Sequence, residues 1–125
     1  MPVAKILVVD DEIHFASHIE VMFSLHGHEV RMAGNPWDAM AIGNKLRPDI
    51  LVTDWMLKSE IDGGQVATMM KEVCPELKVI VITGCTNLAQ KSGELPDAVD
   101  VVIEKPFRME ALLDEITRFL SPTQR

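Results

Sequence analysis

The sequence is poor in several features that announce whole classes of protein. It holds two cysteines, Cys74 and Cys85, in 125 residues. Two are too few to frame a small secreted scaffold, so a reduced, intracellular setting is expected. No apolar run approaches the ~20 residues needed to cross a bilayer. The longest runs are Ile6 to Val9 and Val79 to Ile82. Positive charge is also scarce: 12 Lys and Arg against 19 Asp and Glu, a formal charge of −7. Such a chain is poorly suited to binding nucleic acid through its own surface and better suited to cations or basic protein patches. The opening MPVAKILVVDDE meets carboxylates too soon for a secretory leader. Repeats and low-complexity stretches are missing as well. A soluble, cytoplasmic protein with no membrane or direct nucleic-acid partner is the expectation.

What remains is the composition of a folded domain. Hydrophobic residues make up 47% and charged residues 25%, enough to bury a core. The length suits one domain, expected over residues 1–121 with 122–125 as a tail or the start of a linker. Two periods alternate along the chain. Lys5 to Val9, Glu29 to Ala33, Asp49 to Thr53, Lys78 to Thr83 and Val99 to Glu104 read as strands. Several are continuous aliphatic runs, the pattern of parallel strands covered on both faces. Between them lie helical spacings. Phe15, Ile19, Met22 and Phe23 line the first, closed by Gly27; Ala39, Ile42, Gly43 and Leu46 line the second, opened by Asn35-Pro36. Val66, Met69, Met70 and Val73 line the third, stopped by Pro75. Thr86 to Ser92 suggests a short helix, cut off by Gly93 and Pro96. Met109, Leu112, Leu113, Ile116 and Leu120 line the last. Five strands alternating with five helices predict a doubly wound α/β fold with a parallel sheet.

In such a sheet, ligands sit beyond the carboxyl ends of the strands. Strand one ends in Asp10-Asp11-Glu12, strand three in Asp54, strand four in Thr83-Gly84 and strand five in Glu104-Lys105-Pro106-Phe107. Three ionised carboxylates in one pocket would repel. A hard divalent cation removes the conflict, and an incomplete oxygen cage favours Mg²⁺, which keeps waters and expects a phosphate. Lys105, the Thr83 hydroxyl and the Gly84 amide supply positive charge and donors suited to a phosphoryl group. Asp54, on the central strand with donors on both sides, is the candidate nucleophile for an aspartyl phosphate.

The blocks ILVVDDE, DILVTDWML, VIVITG and IEKPF resemble the receiver domains of two-component response regulators, in order and over essentially the whole chain. The resemblance implies a flavodoxin-like strand order, 2-1-3-4-5, and a role for each residue. Asp54 would be the phosphoacceptor. Asp11 would ligate Mg²⁺ directly, Asp10 mainly through water, Asp54 through a carboxylate oxygen and Met56 through its backbone carbonyl. Lys105 would pair with the phosphoryl group and Thr83 would be the switch hydroxyl, with a cis bond from Lys105 to Pro106. The donor would be a phosphohistidine on a sensor kinase or phosphotransfer protein, and a phosphorylation-dependent homodimer is compatible. The product is a changed surface rather than a metabolite, so the domain is a switch and not an enzyme in the usual sense.

Three positions depart from the family pattern. Val102 stands where Tyr or Phe is usual. The loop WMLKSEIDGG lacks the common proline and carries Asp62-Gly63 one residue late. The helix after strand four reads as short and broken. Other readings of the fold fit less well. A receiver-like interaction module would not need the five pocket residues. A flavin-phosphate loop would be repelled by Asp10-Asp11-Glu12, and an aspartyl-nucleophile hydrolase would want an acid where Met56 stands. His14 and His18, at i and i+4, read as solvent-exposed, Cys85 as a small apolar filler, and Trp37 and Trp55 as packing residues. Met56 and Cys85 would flank the path of a hydrolytic water, which points to a long-lived phosphorylated state.

Overall fold

The computed structural model describes residues 3–84 and 95–120. Five parallel strands form one sheet: β1 (Lys5–Val9), β2 (Glu29–Ala33), β3 (Ile50–Asp54), β4 (Lys78–Thr83) and β5 (Val101–Glu104). Their order is β2-β1-β3-β4-β5, as expected of the flavodoxin-like topology. The helices among the described residues are α1 (Ile13–Leu25), α2 (Pro36–Leu46), α3 (Gly63–Val73) and α4 (Met109–Leu120). The helix expected over Thr86 to Ser92 lies outside the described residues, as does Cys85. No helix among the described residues is long and apolar enough to cross a membrane.

The alternation of side chains along each strand builds two separate cores, one on each face of the sheet. Leu7, Val9, Leu51, Val79 and Val81 point to the face covered by α2 and α3, where Ala39, Val66, Ala67 and Met70 meet them. Ile6, Val8, Ile50, Val52, Ile80 and Ile82 point to the opposite face, covered by α1 and α4 through Ala16, Ile19, Phe23, Leu112 and Ile116. The central strands β1, β3 and β4 are therefore apolar at every interior position but Thr53 of β3, which is why they read as hydrophobic runs.

Side-chain caps open α2 and α3. Asn35 Oδ1 accepts from the Asp38 amide at 2.8 Å, with Pro36 at the first helical position. Asp62 and Gln65 form a capping box at the start of α3, at 2.9 Å in each direction. Gly43 permits the close approach of α2 and α3: a Cβ there would fall 2.3 Å from the Met70 sulfur.

Some sequence expectations shift in register. β5 begins at Val101 rather than Val99, because the Val99 amide closes a turn onto Pro96 O at 3.0 Å. Ala16, not Phe15, joins Ile19 and Phe23 at the bottom of α1; Phe15 is only half-buried. Trp37, expected to pack, is 63% exposed, because α2 turns Ala39 and Gly43 inward and leaves its second residue on the outer side. His14 and His18 are exposed as expected.

Candidate functional site

The carboxyl ends of β1, β3, β4 and β5 bring the predicted residues together. Asp10 directly follows β1, and its amide donates to Ala33 O at 3.0 Å. Its carboxylate turns back to accept from the Glu12 amide at 2.8 Å, which fixes it over the end of the sheet. Asp54 is the last residue of β3. The next amide, from Trp55, continues the ladder to Ile82 O at 2.8 Å, so the Asp54 carboxylate emerges from a fully paired strand. The loop that follows is pinned close: the Gly63 amide donates to Trp55 O at 2.8 Å. A Cβ at Gly63 would sit 2.2 Å from Asp54 O, and one at Gly64 2.6 Å from the Trp55 ring. The Asp62-Gly63-Gly64 sequence, one residue late by the family pattern, thus closes directly onto Asp54.

On the other side, the Lys105 amide donates to Thr83 O at 2.7 Å, tying the lysine to the end of β4. Thr83 is 2% exposed. The peptide bond from Lys105 to Pro106 is cis. Lys105 Nζ lies 3.7 Å from Asp54 Oδ2 and 4.9 Å from the centroid of the Phe15 ring.

One carboxylate oxygen from each of Asp10, Asp11 and Asp54 lies within 4.8 Å of the other two. The electrostatics match that crowding. Burial pushes Asp10 up to about 6, and the charges of Asp54 and Asp11 add to this against the opposing Glu12 amide and Lys105. Asp54 is also raised, mainly by burial; Lys105 and hydrogen bonds from the Met56 and Trp55 amides oppose the rise. Asp11 Oδ2 is buried without a hydrogen-bond partner among the described residues. An unsatisfied buried carboxylate oxygen facing two further carboxylates is a costly arrangement for a protein alone. It fits a hard divalent cation, which takes oxygen ligands and pulls such pKa values down.

Met56 contributes its amide to the Asp54 carboxylate, and the residue is 72% exposed. Trp55 packs instead into the core face under α3. The sequence reading did not assign Phe15 to the site: helical spacing marks it as core, and only the position of Lys105 shows otherwise.

Comparison with known proteins agrees with this geometry. The family model described as the response regulator receiver domain matches residues 6–117. The response regulator MprA of Mycobacterium leprae is 28% identical over 120 residues, covering 96% of this chain and 52% of that protein. The chain thus spans about half the length of the curated relatives it matches. The receiver domain of NtrX from Brucella abortus superposes with a TM-score of 0.80 at 32% identity, covering 94% of this chain and 99% of that one. A CheY-like receiver domain protein from Methanospirillum hungatei gives 0.84 at 24% identity, covering 95% and 94%, a likeness of fold. With the sheet order, the acid cluster and the lysine all in place, the chain belongs to the receiver domains of the response regulators.

Proposed function

We propose that Asp54 is the phosphoacceptor of this receiver domain, with a phosphohistidine on a sensor kinase or phosphotransfer protein as the donor. The observation that carries the assignment is the position of Asp54: between two further carboxylates on one side and the Lys105 ammonium, 3.7 Å away, on the other. An Asp54 carboxylate oxygen forms the bond to phosphorus as the phosphorus–nitrogen bond to the donor imidazole breaks. The electron pair leaves with the imidazole. Charge on the equatorial oxygens meets Lys105, the Thr83 hydroxyl and the Gly84 amide. In the later hydrolysis, water adds to phosphorus as the bond from phosphorus to the Asp54 oxygen breaks; Asp54 departs as the free carboxylate, and inorganic phosphate leaves with the proton of the water.

Mg²⁺ is the cation that the donor set suits, and Asp10, Asp11, Asp54 and the Met56 carbonyl are the groups that would hold it. When bound, it neutralises the pocket and the developing phosphoryl charge. The Asp10–Glu12 hydrogen bond orients one of these acids in advance, and the Asp54 amide contacts hold the nucleophile. The result of the reaction is a changed binding surface, as befits a switch. With Val102 half-buried on the edge strand in place of an aromatic, that change would leave the pocket by a route other than an aromatic rotamer.

Phosphoramidate and Mg²⁺ should add one phosphoryl mass to the intact protein, and Asp54→Asn should take up none. Equal uptake by Asp54→Asn would refute the assignment.

A further inference from the structure

Lys105 has a neighbour that an acidic pocket alone would not supply. Its ammonium stands 4.9 Å from the centroid of the Phe15 ring while it faces Asp54 Oδ2 at 3.7 Å. Phe15 belongs to the first turn of α1. Its ring meets Phe107 edge to face, with centroids 5.9 Å apart and planes at 85°. Lys105 and Phe107 come from the same segment after β5. One loop therefore both clamps the ring and rests a lysine over it.

An aromatic face carries negative electrostatic potential and attracts an ammonium, more strongly where water is partly excluded. Lysine is a point charge on a flexible four-carbon stem, and the Lys105 side chain is a third exposed. Without a second contact, its ammonium could turn to solvent and away from Asp54. Leucine or isoleucine at position 15 would fill similar space without attracting the charge.

We propose that Phe15 is a positioning residue for Lys105: its ring face holds the ammonium beside Asp54, ready for the oxygens of an incoming phosphoryl group. The proposal rests on the assignment of Asp54 as phosphoacceptor, but the placement of the lysine can be read independently. In the full 125-residue chain, the side-chain ε-methylene resonance of Lys105, assigned with Lys105→Arg, should be shielded by the ring. It should move to the ordinary lysine position in Phe15→Leu and stay shielded in Phe15→Trp. Phosphorylation by phosphoramidate with Mg²⁺ should show a maximal rate about three-fold lower in Phe15→Leu, the size of one cation–π contact at a partly exposed site. The donor concentration at half-saturation should not change, and Phe15→Trp should restore the rate.

In a Lys105→Met background, Phe15→Leu should have no further effect. Should Phe15→Leu fail to fold, Phe15→Met gives the same comparison with a flexible apolar side chain. An unshielded lysine in the wild type, an unchanged rate, or the same loss in the Lys105→Met background would each overturn the proposal, the last by showing that the ring only packs. If the wild type takes up no phosphoryl group, the Asp54 assignment fails, and the lysine resonance alone decides the placement.

Discussion

Carboxylates stand at both ends of this sheet, and the two ends treat them in opposite ways. At the amino ends of the strands, Asp49 accepts from the Lys5 amide at 2.9 Å. Asp100 accepts from the Val79 amide at 2.8 Å and pairs with Lys71 at 3.1 Å. Each of these acids ties one strand to the next. At the carboxyl ends, Asp10, Asp11 and Asp54 crowd one another, Asp10 is pushed up to about 6, and one oxygen of Asp11 is buried with no partner among the described residues. The same residue type ties strands together singly at one end of the sheet and crowds into a cluster at the other. The open end gathers negative charge that a divalent cation would relieve.

The sharpest way to break this contrast is to remove one acid from each end. Asp10→Asn should stabilise the protein without Mg²⁺. The folded-state pKa of Asp10, about 6 against an ordinary 3.8, is raised, so the folded state loses stability as pH rises from the unfolded value through about 6. The full cost, about 3 kcal/mol, is present above about pH 7. Urea unfolding should therefore show the variant gaining about 1 kcal/mol more at pH 7.5 than at pH 5, with the advantage shrinking when Mg²⁺ is added. A variant no more stable than wild type at pH 7.5 would count against a crowded pocket.

Asp100→Ala should do the reverse. It strands the buried Val79 amide and removes the Lys71 partner, at a cost of about 1–2 kcal/mol in the same assay. Stabilisation by Asp100→Ala would erase the distinction between the two ends.

Much of this was legible in the sequence. Strands buried on both faces announce themselves as aliphatic runs, so β1 to β4 and the strand order follow from pattern and resemblance. The pocket acids, Thr83 and Lys105 are legible because each sits at the end of such a run. Side-chain direction is harder. Phe15 has the spacing of a core residue, and nothing local reveals that its ring lies under a lysine 90 residues further along. Trp37 is large and apolar, yet the Asn35 cap fixes the phase of α2 so that it faces outward. The late Asp62-Gly63 reads as a departure from the family. In space it brings the loop back onto Asp54, where a side chain at position 63 would collide with the backbone.

Smaller effects sharpen the account of the open end. Asp11→Asn should weaken Mg²⁺ binding by calorimetry, because Asp11 Oδ2 is buried with no hydrogen-bond partner among the described residues. Equal affinity in both proteins would remove Asp11 from the ligand set. Met56 should set the lifetime of the phosphorylated state. It is exposed two residues after Asp54, and a thioether orients an attacking water poorly. Met56→Asn should speed loss of the phosphoryl mass several-fold, about 1 kcal/mol in barrier. Equal or slower decay in the variant would place control of the water elsewhere.

The most direct test of the open end as a cation-dependent phosphoacceptor site is to locate the acyl phosphate itself. Borohydride reduction after incubation with phosphoramidate converts a phosphorylated aspartate to homoserine, which peptide mass spectrometry places in the chain. The account predicts homoserine at position 54 alone, formed with Mg²⁺ and lost when the metal is chelated before the donor is added. Homoserine at position 10 or 11, or at position 54 in equal yield without Mg²⁺, would contradict it.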